Sequence, residues 1–204
     1  MKKPLLIKLA VAASTLGVFA VLFRSTLEDT RTEPYTVPRA HLQGWTLALE
    51  TAATPAEPLL VLRPSADLAN GLFKQIFARA MESLNSPAAP SIPIVLRAEF
   101  DRDIGDQFTR EALLAAAKTA GIERALPTPR CLVHLRISGP GGVRQAYLIT
   151  FEAASIVQFR KQIGLDPAAL PPILFVAGAD TDFNSWPPQQ INAGECLAPI
   201  EIAP

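Results

Sequence analysis

Fifteen uncharged and mostly apolar residues, Leu9 to Phe23, follow a start that carries Lys2, Lys3 and Lys8. At 1.5 Å per residue they make roughly 22 Å of helix, short of a ~30 Å bilayer core. Leu5 to Ile7, with Lys8 snorkelling to the surface, bring the segment close to spanning length. The run ends Ala20-Val21-Leu22-Phe23-Arg24 and lacks the small-residue pattern that signal cleavage requires. Residues 1–24 are therefore expected to form an uncleaved membrane anchor. Leu9, Val11, Leu16, Val18, Phe19, Val21, Leu22 and Phe23 would face lipid. The lysines would keep the N-terminus cytoplasmic, which places the chain in a bacterial inner membrane with its bulk in the periplasm. Residues 25–44 are polar with two prolines and read as a juxtamembrane linker.

From residue 45 the periodicity changes. Trp45 to Glu50 alternates like an edge strand, and Leu59 to Pro64 is a short apolar run that suits a buried strand. Leu68, Leu72, Ile76, Ala80 and Leu84 recur every four residues, which predicts a helix from a cap at Asp67 to about Asn85. Ile92 to Phe100 predicts a second buried strand, and Thr109 to Gly121 a helix ended by its glycine. Cys131 to Phe151 reads as two strands joined at Gly139-Pro140-Gly141-Gly142. Glu152 to Gly164 reads as an amphipathic helix, and Pro171 to Gly178 as one more strand. The domain is thus bounded at 45–178, and residues 179–204 form a proline-rich tail expected to lie extended over its surface.

Composition changes this picture little. Hydrophobic residues make up 49%, enough for a core, and nineteen basic residues balance nineteen acidic ones. The balance is uneven: residues 1–40 hold six Lys/Arg and three acids, and the rest is mildly negative. A mildly negative domain argues against non-specific nucleic-acid binding, which needs a basic surface.

The order from Leu59 to Gly164 is β-α-β-α-β-β-α. It resembles the thioredoxin fold, a three-layer α/β domain, and Thr128-Pro129 stands where that family carries a cis-proline before its hairpin. The resemblance implies a cis bond at Pro129. It also implies a Cys-x-x-Cys between the first strand and its helix, and that place here reads Arg63-Pro64-Ser65-Ala66-Asp67-Leu68. Redox catalysis of the family type does not carry over.

Candidate chemistry is sparse. Cys131 and Cys196 are the only cysteines. Outside the cytoplasm such a pair is most often one structural disulfide; a reactive thiol beside Pro129 is the other reading. No Cys/His cluster marks a metal site, and no cofactor motif is present. His134 shares a strand face with Leu132 and Arg136, with no nucleophile or acid marked as its partner, and His41 lies in the linker. Asp101, Asp103 and Asp106 could face one cation but miss the calcium-loop spacing, and Asp180 to Asn184 is a similarly weak acidic loop. Gly139-Pro140-Gly141-Gly142 is followed by a strand, so it reads as a hairpin turn and not a phosphate loop. These features lead to a non-catalytic, membrane-anchored accessory or scaffolding subunit of an inner-membrane complex, respiratory or photosynthetic. Its partners would be integral membrane subunits, with Trp45, Phe183 and Trp186 as the expected contacts. The alternative is a periplasmic thiol-disulfide oxidoreductase using Cys131 and Cys196.

Overall fold

The structure is a computed structural model that describes residues 14–23, 30–80, 82–139, 142–179 and 196–204. It is a mixed α/β fold with two sheets. The strands are β1 (Tyr35–Pro38), β2 (Thr46–Leu49), β3 (Pro58–Arg63), β4 (Ile92–Leu96), β5 (Thr128–Gly139), β6 (Gly142–Glu152), β7 (Ile173–Gly178) and β8 (Cys196–Ala203). The helices of nine or more residues are α1 (14–23), α2 (Ala66–Ala80), α3 (Arg110–Thr119) and α4 (Ala154–Gln162), and shorter helical turns cover Arg39–Leu42, Arg97–Glu99 and Phe100–Ile104. Among the described residues no helix is long and apolar enough to cross a membrane. The anchor positions Leu9 and Val11 lie outside the described residues.

The local reasons for these elements are visible in their ends. Ser65 Oγ accepts the Leu68 N–H at 3.4 Å, so Ser65 caps α2, and Asp67 lies in its first turn. Thr109 Oγ1 caps α3 by accepting the Ala112 N–H at 3.1 Å. Gly121 and Gly164 follow α3 and α4 at φ 72° and 83°, the left-handed region where a side chain would be strained. Helix α2 stops at Ala80, short of the expected Asn85. Asn85 is instead drawn onto the end of β7, exchanging backbone hydrogen bonds with Gly178 at 2.7 and 2.9 Å. Strand β4 stops at Leu96, short of Phe100, because the Arg97 and Ala98 N–H groups turn to Glu57 and Pro55 carbonyls.

Strand order is β1-β8-β5-β6-β7 in one sheet and β2-β3-β4 in the other. A five-stranded sheet is about 19 Å wide from first strand to last, and a helix is about 10 Å across. Helix α2 nevertheless touches both outer strands, β1 and β7, so the sheet curls around it. The main core fills the space between this sheet, α2 and the smaller sheet, with Leu59, Leu60, Leu62, Ile76, Ile94, Leu132 and Ile149 fully buried.

The strand pairing departs from the thioredoxin arrangement. That arrangement requires the strands before and after α2 to run parallel beside the hairpin. Here β3 and β4 are antiparallel and sit in the other sheet, with α2 packed on the larger sheet instead of crossing over them. Pro129 follows a trans peptide bond. The two segments expected to be linker and tail both enter the larger sheet: β1 pairs parallel with β8, and β8 pairs antiparallel with β5.

A buried ion pair joins the halves. Arg160 of α4 is fully buried and grips Glu99 with both Nη atoms, at 2.6 and 3.0 Å. It also donates to the Ile94 carbonyl at 2.7 Å and the Asp166 carbonyl at 2.6 Å, and Glu99 Oε2 accepts the Leu96 N–H at 3.0 Å. Every polar atom is thereby matched, the condition under which a buried pair is tolerated. Removing one partner leaves the other charged and dry. Arg160→Met is expected to lower unfolding free energy by about 3–5 kcal/mol, with most of that recovered in Arg160→Met/Glu99→Leu. Urea denaturation of the two variants checks this, and a single-variant loss under about 1 kcal/mol would contradict it.

Candidate functional site

The chemistry-bearing residues gather on the β5–β6 hairpin. Adjacent residues of a strand face opposite ways, so Leu132, His134 and Arg136 share one face and Cys131, Val133 and Leu135 the other. On the second face, Cys131, Val133, Leu135, Ala146, Leu148 and Ile173 form a small buried cluster with Phe175 beside it. The disulfide Cys131–Cys196 lies here, with Cα atoms 5.7 Å apart. The register explains the meeting: Val133 faces Cys196 and Cys131 faces Pro199, across a bulge that brings the two cysteines together diagonally. Cys131 is buried and Cys196 is exposed.

The first face carries a polar group at the edge of the core. His134 pairs directly with Tyr147 across the hairpin, their rings stacked 4.3 Å apart and 3° from parallel. Gln145 lies beside them and donates to Glu82 Oε2 at 2.6 Å, while Arg31 donates to Glu82 Oε1 at 3.3 Å and to the Ala80 carbonyl at 2.5 Å. Tyr147 is 1% exposed, and neither its hydroxyl nor His134 Nε2 has a hydrogen-bond partner. Burial holds the His134 pKa below the usual imidazole value; Gln145 and Glu82 oppose this, and Arg136 and Arg31 add to it. Burial pushes Tyr147 up to about 12, with the Glu82 charge acting in the same direction. Sequence reasoning singled out His134 but missed Tyr147, Gln145, Glu82 and Arg31. Alternation along β6 does put Gln145 and Tyr147 on one face, but nothing local marks Glu82 or Arg31.

Other expected site residues are dispersed. Trp45 is buried, not exposed on a sheet edge. Its Nε1 donates to the Leu42 carbonyl at 2.7 Å and its ring meets Phe151 edge-on at 5.7 Å, so it is a core residue. Asp101 pairs with Arg97 and Asp103 with Arg102, so these carboxylates are spent on neighbouring cations. Among the described residues no group of three His, Cys, Asp or Glu is placed to hold a metal. Phe183, Trp186 and the acidic loop at 180–184 lie outside the described residues. His41 lines a 240 Å³ cavity between β1 and α2 with Val37, Leu72 and Gln75. A shallower 430 Å³ depression runs along α4, lined by Phe151, Val157, Gln158 and Lys161.

Some backbone groups on the free edges of both sheets are occupied, by side chains or by the backbone of Asn85. Gln75 of α2 accepts the Thr36 N–H at 3.0 Å and donates to the Thr36 carbonyl at 2.8 Å, in place of a neighbour for β1. Glu123 accepts the Leu47 N–H of β2 at 2.8 Å; Glu99 and Arg160 satisfy β4; Asn85 satisfies the end of β7. Docking by strand addition is disfavoured at each of these places.

The disulfide closes a loop of 65 residues, for which chain entropy gives about 4 kcal/mol. Cys131→Ala/Cys196→Ala is expected to lose stability of that order in urea while keeping the fold by circular dichroism; an unchanged midpoint would contradict a structural role. No protein-family model, curated protein or solved structure matches the chain.

Proposed function

We propose that the chain is a membrane-anchored extracytoplasmic domain that works by holding other membrane proteins, as an accessory or scaffolding subunit of an inner-membrane complex. The observation that carries this reading is the exposure of α1. All ten of its described residues are exposed, including Leu16 at 72%, Phe19 at 70% and Val21 at 69%. An apolar helix with no face against its own domain needs lipid or protein around it. Ten residues span about 15 Å, and the uncharged run begins upstream at Leu9 in the sequence, with Lys2, Lys3 and Lys8 before it.

Two further features support the reading. A disulfide suits an oxidising compartment, beyond the cytoplasm. The domain's polar chemistry is absorbed in matched pairs: Arg160 with Glu99, Arg63 with Glu50 at 2.6 Å, and Arg130 with Glu152. At the edge positions already occupied, a partner would meet side-chain surface.

Membrane fractionation of a tagged full-length chain tests the anchor. The protein is expected to stay with membranes after carbonate washing and to require detergent for release, whereas residues 30–204 alone should appear in the soluble fraction. Recovery of the full chain without detergent would overturn the anchored reading. In mild detergent the chain is expected to elute with integral membrane subunits. Elution alone, combined with catalysis of insulin reduction that is lost in Cys196→Ala, would favour a thiol oxidoreductase.

A further inference from the structure

Helix α2 buries Leu72, Ile76 and Ala80 in the core and turns its opposite side to solvent. Phe77, on that outer side, is 51% exposed. Its ring is stacked on that of half-buried Phe73, one turn earlier, with centroids 5.9 Å apart and planes 29° from parallel. Asn70, Lys74 and Ala78 are exposed beside them. Lys74 is the only charged residue from Asn70 to Ala78. The outer face of this part of the helix therefore carries two rings and a cation, with no acid.

This end of α2 is where the chain arrives from α1. Arg31 donates to the Ala80 carbonyl and to Glu82, and Arg79 donates to the Glu33 and Pro34 carbonyls at 2.7 and 3.1 Å. Phe77 precedes Ala80 by less than a turn, about 5 Å along the axis. Residues 24–29 separate α1 from Thr30. From Phe23 to Thr30 the chain reaches at most about 25 Å, whatever its conformation. A domain of this size is about 40 Å across, so the tether is shorter than the domain and keeps this corner near the end of α1.

Area and tether together decide what covers the face. A phenylalanine side chain buries about 200 Å² when fully enclosed, so half-exposed Phe77 offers about 100 Å². A stable protein interface takes about 800 Å² from each partner, far more than these rings supply. A membrane surface needs much less, because the tether already supplies the proximity. The residue types suit it too. Aromatic rings enter the headgroup boundary, and a lysine beside them lays its stem along apolar surface with its ammonium among the phosphates.

We propose that the outer face of α2 around Phe73 and Phe77 rests on the lipid surface from which α1 emerges, with Phe77 inserted at the headgroup boundary and Lys74 on lipid phosphates. This contact rests on the anchored reading of α1 and adds a second hold, which fixes how the domain sits over the membrane.

Nitroxide labelling of the full chain in vesicles of phosphatidylethanolamine and phosphatidylglycerol tests the contact, with Cys131 and Cys196 left paired and one new cysteine introduced. Flotation with the vesicles is scored first. Collision of the label with oxygen, which partitions into lipid, is then compared with collision with a water-soluble nickel complex supplied on both sides of the bilayer. The label in Phe77→Cys is expected to favour oxygen, whereas the label in Glu111→Cys, exposed on α3, should favour nickel. Ala78→Cys keeps both rings and reads the same face should Phe77→Cys fail to fold. Adding Phe77→Glu to it should restore nickel contact to the level seen in Glu111→Cys. A chain that floats while the labels at positions 77 and 78 meet nickel as often as the label at 111 overturns the lipid contact and leaves the anchor standing. A chain that does not float overturns the anchored reading and the contact with it. Shielding of both labels in native membranes but not in lipid vesicles also overturns the contact, by giving the face to a protein.

Discussion

Arg160 reaches Glu99 across 61 positions of sequence and holds together what the sheet hydrogen bonds do not. The two sheets share no ladder. The guanidinium comes from α4, which follows the hairpin of the larger sheet, and it ends on the β4 carbonyl of Ile94 and on a carboxylate that itself caps Leu96. One side chain thus ties the smaller sheet to α4 and occupies a carbonyl on its outer edge. Its geometry matters because a buried charge is favourable only when each donor finds an acceptor. The Asp166 carbonyl, from the loop after α4, completes the set.

Closure of edges recurs throughout the molecule. Gln75, Glu123, Glu99 with Arg160, and Asn85 each occupy backbone groups that would otherwise pair with another strand. The described surface keeps one extended apolar element, α1, with isolated exposures at Phe77, Leu126 and Ile202. The division of labour is consistent with a compact domain and a separate, lipid- or protein-seeking helix.

Much of the element order was legible in the sequence, because the helical and strand periods around Leu72, Val61 and Ile149 are strong. Strand pairing was not. The same β-α-β order accommodates a parallel crossover or, as here, an antiparallel return, and local periodicity does not distinguish them. Strand β8 was hidden by Pro199, which reads as a break. In the fold Pro199 marks the handover: β8 pairs with β5 through Cys196, Ala198 and Pro199, and with β1 from Ile200 on. The disulfide could be anticipated from cysteine count, whereas the His134 group could not. Glu82 is 51 positions from Arg31 and 63 from Gln145, and they meet only because α2 returns Glu82 to the hairpin. Trp45 shows the reverse error: an aromatic expected at a contact surface is held in the core by Leu42 and Phe151.

The domain is proposed to be extracytoplasmic and displayed from a membrane helix. The most direct test is the redox state of the two cysteines in living cells that produce the full chain. Cells are quenched in acid and denatured, and thiols are alkylated with a mass tag before and after reduction. The account predicts no tag before reduction and two after, as a domain exported to an oxidising compartment requires. Two tags before reduction, in the membrane fraction of unstressed cells, would contradict it.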